Sequence, residues 1–158
     1  LIDGRVVEKV LYQLQDAVVA LTGHYLLDFV LKHKIKGWVA AGAQYRNLAD
    51  TRNVFLPDVS FRFATGPIVT EGSVHEMPDL AVEVESERNP PERMRHKARL
   101  YLEDCTPIVW LVFPERKQVE VYTPDDELVL GIGDTLIGGD VLPGFTLAVE
   151  AIFIKRGT

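Results

Sequence analysis

The stretch DLAVEVESERNPPERMRHKARLYLEDCTPIVWLVF, residues 79–113, decides the fold. Its first eight residues alternate, so Leu80, Val82 and Val84 share one strand face while Asp79, Ala81, Glu83 and Glu85 share the other. Asn89-Pro90-Pro91 stops the strand and opens a helix of about residues 91–104. Met94, Ala98, Tyr101 and Cys105 form the apolar stripe of that helix, with Lys97 at its border and Arg93, His96 and Arg99 pointing further outward. IVWLVF at 108–113 has no polar face and reads as a strand buried on both sides. Strand, helix and strand in this order predict a right-handed parallel crossover.

Upstream, WVAAGAQYR (38–46) and NVFLPDVSFRF (53–63) read as strands that join strand 79–86 in an antiparallel meander. Before them, Leu11, Leu14, Val18, Leu21, Tyr25, Leu26, Phe29 and Val30 recur at helical spacing. Gly23 is a candidate kink in that helix and Gly37 a candidate end signal, and Lys32, His33, Lys34 and Lys36 complement the negative end of its dipole. Asp3-Gly4 predicts a short opening hairpin. Downstream, QVEVYT alternates as a half-exposed strand would, and GDTLIGGDVLPGFTLAVEAIF reads as turns and a short closing segment. The class is α/β at the border with α+β: one domain over residues 1–158, with a mixed sheet flanked by helices.

A chain of 158 residues, 47% hydrophobic and 25% charged, suffices for one sizeable core. Apolar runs such as IVWLVF are too short to span a bilayer, and no basic-then-apolar signal opens the chain, so the expected setting is cytoplasmic, away from membranes. The lone Cys105 excludes an internal disulfide and reads as a small buried apolar residue. The four histidines, at 24, 33, 75 and 96, lack the spacing of zinc ligands. A net charge of −6 disfavours tight sequence-independent binding to nucleic acid, although a bound cation would reverse the field of an acidic cleft.

Candidate chemistry concentrates on carboxylates. On strand 79–86 alone, an amphipathic strand with a solvated acidic face is a sufficient reading. Asp58 changes the weighing, because in a hairpin turning between 63 and 79, residues 58–60 fall opposite roughly 83–85. Like charges that close are unfavourable unless a cation or a proton separates them. Lys97 either snorkels over apolar surface or turns its ammonium to the end of the sheet.

The segments LIDGRVVE, LPDVSF, PDLAVEVES, Lys97 with Tyr101, IVWLVFPERKQVEVY and the ending GDTLIGGDVLPGFTLAVEAIF together resemble the Uma2 restriction-endonuclease family, formerly a domain of unknown function, within the PD-(D/E)XK nuclease superfamily. The resemblance spans nearly the whole chain and implies a restriction-endonuclease-like core. It implies Pro57-Asp58 as the superfamily's PD, Glu83 as its second acid, and a lysine displaced from the strand, where Glu85 stands, to Lys97 on the helix. Asp79 follows Pro78 in a second PD pair, but Asp58 fits the register better. Relatives usually carry an apolar residue in place of Glu85 and often an acidic one in place of Arg93.

The implied activity is hydrolysis of DNA phosphodiesters with Mg²⁺ or Mn²⁺, held by Asp58 and Glu83 with Glu85 as a possible third ligand, and with Lys97 acting on the water or the transition state. Two other readings are a catalytically degenerate module acting in binding or oligomerisation, and hydrolysis of a different phosphate-containing substrate. A homodimer would supply two sites for two DNA strands, with Leu100 exposed on the second helix as a contact.

Overall fold

A computed structural model describes residues 10–50 and 52–153. The opening hairpin expected around Asp3-Gly4 lies outside the described residues. The elements are α1 (Val10–Lys32), β1 (Gly37–Ala41), β2 (Val59–Phe63), β3 (Leu80–Val84), α2 (Pro91–Glu103), β4 (Ile108–Phe113), β5 (Gln118–Tyr122), β6 (Glu127–Leu130), β7 (Thr135–Gly138), β8 (Leu142–Ala148) and a 3₁₀ turn at Val149–Ile152. Strands β1 to β6 form one sheet in sequence order, and β7 pairs with β8 in a separate ribbon. Neighbours in the main sheet are antiparallel except β3 and β4, which run parallel with α2 as the crossover between them. The meander, the crossover and the mixed sheet therefore stand as expected, in an α+β arrangement.

The sheet is covered on both faces. On one, α1 contributes Val18, Leu26 and Val30 to a cluster with Val59, Phe61, Leu80, Val82, Val84, Trp110 and Val112. Thr22 on the same stripe is buried and satisfies its hydroxyl on Val18 O at 2.8 Å. Residues Gln13–Lys32 of α1 are long and apolar enough to cross a membrane, contrary to the expectation of short apolar runs only. Here that length packs on a sheet. Helix α1 passes Gly23 without interruption, and an added Cβ there would lie 3.9 Å from Val59. Lys34, at φ +52°, follows the helix end, whereas Gly37 opens β1 against Phe61.

On the other face, Met94, Ala98 and Tyr101 of α2 pack on Ala81, Val109, Leu111 and Phe113. Strand β4 is buried at all six residues, as its composition predicted. Helix α2 ends at Glu103, so Cys105 is not on its apolar stripe. It takes the left-handed position after the cap, φ +72°, and is exposed, which corrects the buried-thiol reading. Strand β5 is buried on both faces rather than half exposed. Glu120 is tolerated there because Arg95 grips it with two bonds, 3.0 and 2.7 Å, and Tyr122 donates to it at 3.0 Å. The Arg95 hydrogen bonds draw the Glu120 carboxyl below its ordinary range.

The C-terminal region is more than turns. Leu136, Leu142, Phe145, Leu147, Val149 and Ile152 place the β7–β8 ribbon and its 3₁₀ turn on the α1 face of the core. A register shift between Ile137 and Gly138 brings the backbones close enough that a Cβ on Gly138 would meet Leu142 O at 2.5 Å. Gly138→Ala should cost about 1–3 kcal/mol by overpacking and lower Tm by roughly 2–12 °C in a thermal melt. An unchanged Tm would mean that the ribbon is not packed this closely.

Candidate active site

Three expected residues meet where β2 begins and β3 ends. The β2–β3 register ends with Val59 opposite Val82, and Asp58 stands immediately before Val59. Asp58 N–H donates to Val82 O at 3.0 Å, and Val84 N–H donates to Asp58 Oδ2 at 2.7 Å. Asp58 is thereby tied to the end of β3, close enough for its charge to act on Glu83. Asp58 is half-buried, and its Oδ1 has no hydrogen-bond donor among the described residues.

Glu83 is not on a solvated face. It is 1% exposed beneath α2 and accepts from three donors. Lys97 Nζ reaches Oε2 at 3.0 Å, Asn89 Nδ2 donates to Oε2 at 3.0 Å, and the Tyr101 hydroxyl donates to Oε1 at 3.1 Å. Burial pushes the Glu83 carboxyl above its ordinary range. The Lys97 ammonium works against that rise, and the Asp58 charge adds to it. Burial likewise raises Asp58, opposed by the Val84 N–H bond and Lys97 and reinforced by Asp16 of α1. The two carboxylates are held near enough to sense each other, with an exposed third, Asp16, in range.

Lys97 snorkels, but toward the site: it is 31% exposed and bonded to Glu83. Together with Asn53, Leu56, Arg93, Leu100 and Tyr101 it lines a cavity of about 250 Å³ that has Glu83 in its wall. Arg93 is exposed, as the helical pattern predicted, while Leu100 is half-buried. Glu85 stands apart. Its N–H bonds Val112 O at 2.9 Å, and its side chain lines a different cleft, of about 330 Å³, with Leu14, Gln15, Pro90, Pro114 and Arg116. Asp79 sits at the far end of β3, where it accepts from Phe63 N–H at 2.8 Å and closes the β2–β3 hairpin.

Three contributors were not expected from the sequence. Tyr101 was read as apolar stripe and as a companion of Lys97 in the family resemblance, with no contact to Glu83 expected, yet it lies one helical turn beyond Lys97 and so faces the same carboxylate. Asn89 counted only as part of a stop signal. Asp16 had no pattern of its own, because its role follows from how α1 crosses the sheet.

Oxygen donors of this kind suit a hard divalent cation, which prefers carboxylates, amide carbonyls and water. Asp58 Oδ1 is open, Glu83 Oε1 accepts a single hydrogen bond, and the mutual repulsion of the carboxylates is relieved by positive charge. Among the described residues no cluster of three or more His, Cys, Asp or Glu forms, so Asp58, Glu83 and Glu85 are not assembled as a carboxylate triad.

No curated protein matches this chain. A solved structure described as "a putative nuclease belonging to DUF820", from Anabaena variabilis ATCC 29413, superimposes with a TM-score of 0.74 over 88% of this chain and 79% of that one, at 16% identity. That likeness establishes a common fold. The family model for Uma2, described as "Putative restriction endonuclease", matches residues 1–150, and the chain therefore belongs to the Uma2 family.

Proposed function

We propose that the protein is a metal-dependent endonuclease that hydrolyses DNA phosphodiester bonds. The observation that carries this reading is the buried Glu83 carboxylate, tied to Lys97 at 3.0 Å and within reach of the Asp58 charge. A structural ion pair has no need of a second carboxylate beside the first, yet the half-buried Asp58 adds its charge to the burial that already raises Glu83. The family's description supports nuclease chemistry, and the oxygen donor set supports Mg²⁺ or Mn²⁺.

When bound, such a cation supplies Lewis-acid charge and lowers the pKa of a coordinated water. Asp58 and Glu83 hold it. Tyr101 fixes one oxygen of Glu83, so the carboxylate cannot rotate freely. Lys97 stands at the cavity wall, where its ammonium orients the attacking water and offsets the charge that gathers on the phosphate in the transition state. Arg93, four residues earlier on the same helix face, adds positive potential for the polyanion beside the acidic pair.

Supercoiled plasmid and single-stranded DNA incubated with Mn²⁺ should be cut, with cleavage abolished by chelator and lost in Asp58→Asn while the fold persists by circular dichroism. Equal cutting by Asp58→Asn would assign the activity to a contaminant and remove the site.

A further inference from the structure

We infer that the cavity beside Glu83 receives one unpaired nucleotide of the substrate strand, its base held among Val54, Phe55, Leu56 and Leu100, so that the preferred substrate is single-stranded or locally opened DNA. The inference rests on the nuclease reading of the Asp58–Glu83 site and names its substrate class. The cavity measures about 250 Å³ and has Glu83 and Lys97 in its wall, so whatever fills it lies next to the acidic pair. At about 30 Å³ of liquid volume per molecule, that is the space of roughly eight waters, room for one nucleobase and not for a base pair.

The lining is the wrong chemistry for a phosphate backbone alone. Leu56 is 58% exposed and Val54 45%, and both line the cavity. Apolar side chains left in water gain nothing from a charged phosphate, whereas the flat face of a base can cover them. Phe55 and Tyr101, with ring centroids 4.6 Å apart, belong to the same wall, and aromatic rings are the usual platforms for unpaired bases. Asn53 adds an amide, with a donor and an acceptor for the edge of a base. A mostly apolar cavity with a few polar groups is the general form of a site for a small flat ligand.

Charge points the same way. Arg93 and Lys97 are the cations of the wall. Lys97 is bonded to Glu83, while Arg93 donates to the Arg88 carbonyl at 3.3 Å and pairs with no carboxylate among the described residues, which leaves its charge for a phosphate flanking the base. Two cations on a chain of net charge −6 supply little of the phosphate contact by which a duplex is gripped. Contact with a base face supplies affinity that does not need many phosphates. In a paired duplex that face is hidden, and the base must first be unstacked and unpaired, which costs least where the strand is already open.

The test offers the full chain three end-labelled DNA substrates with Mn²⁺: a single strand, a duplex with a central unpaired bubble, and the same duplex fully paired. The single strand and the bubble should be cut at least about 10-fold faster than the paired duplex. Binding is read separately, by fluorescence anisotropy of a labelled single strand in chelator, for the wild type, Leu56→Ser and Leu48→Ser. Leu56→Ser should weaken binding roughly 4- to 20-fold, what covering the exposed 58% of a leucine is worth. Leu48→Ser, equally at the surface but outside the cavity, should bind as the wild type does. A paired duplex cut as fast as the single strand, no binding of the single strand, or equal binding by the two variants overturns the base cavity and leaves the nuclease reading standing. A protein that cuts none of the three substrates overturns both.

Discussion

Glu83→Gln should lower DNA cleavage by about 10³-fold or more, the several kcal/mol that metal charge stabilisation contributes, while making the metal-free protein more stable at pH 8. The two effects have one source. Glu83 is 1% exposed, and burial raises its carboxyl above the ordinary range despite Lys97. A carboxyl whose folded pKa lies above its unfolded one binds protons more tightly in the native state. Its stabilising contribution is then complete below the unfolded pKa and is lost as pH rises through the folded pKa. At pH 8 the ionised Glu83 is therefore a cost that a neutral glutamine of the same shape does not carry. The gain is expected at about 0.5–2 kcal/mol, or roughly 1–8 °C in Tm, shrinking as pH falls into the carboxylate range. Added Mn²⁺ should raise the wild-type Tm and leave that of Glu83→Gln nearly unmoved, because only a ligand of the native state stabilises it. Thermal melts from pH 5 to 8, with and without Mn²⁺, check both signs. A variant less stable than the wild type at pH 8 would mean that Glu83 is a structural ion-pair partner.

Lys97 supplies the second large effect. Lys97→Met keeps most of the side chain's apolar length and removes the charge, so it separates packing from chemistry. Turnover on DNA should fall by roughly 10²–10³-fold, the loss typical of removing one transition-state donor, and above the carboxylate range Tm should fall too because the buried Glu83 charge loses its cation. The pH profile should move as well. Lys97 is the strongest influence holding the Glu83 carboxyl down, so its removal lets that carboxyl rise further and shifts the acidic limb of the rate profile to higher pH. Lys97→Arg should not restore the rate, because a planar guanidinium does not reproduce a compact ammonium 3.0 Å from Oε2. A variant that loses stability but not turnover would reduce Lys97 to a packing residue.

Much of this architecture was legible before the structure. Period-two alternation in DLAVEVES, the proline stop and the unbroken apolar run of IVWLVF fix β3, α2 and β4, because each pattern is local and admits few alternatives. Register was harder to read. Hairpin logic put Asp58 opposite 83–85, whereas its N–H bonds Val82 O, its carboxylate accepts from Val84 N–H, and its charge acts on Glu83. Glu85 has the right parity on the strand but lies one residue past the end of β3, where the chain turns to a separate cleft. Parity cannot see where a strand ends. Cys105 failed for a similar reason, since a stripe extrapolated one residue beyond Asp104 crosses the cap and reverses direction. The burial of β5 and the β7–β8 ribbon escaped local reading because both depend on partners far along the chain, Arg95 for Glu120 and the α1-face cluster for the ribbon.

In the proposed mechanism Asp58 and Glu83 share a divalent cation. A crystal of the wild-type protein soaked in Mn²⁺, with data collected at the manganese absorption edge, tests it directly. An anomalous peak is expected, bonded to Asp58 Oδ1 and to Glu83, with Lys97 alongside and the peak absent in Glu83→Gln. A fully soaked crystal with no peak between these carboxylates, or with manganese held instead by Glu85 in the neighbouring cleft, would contradict it.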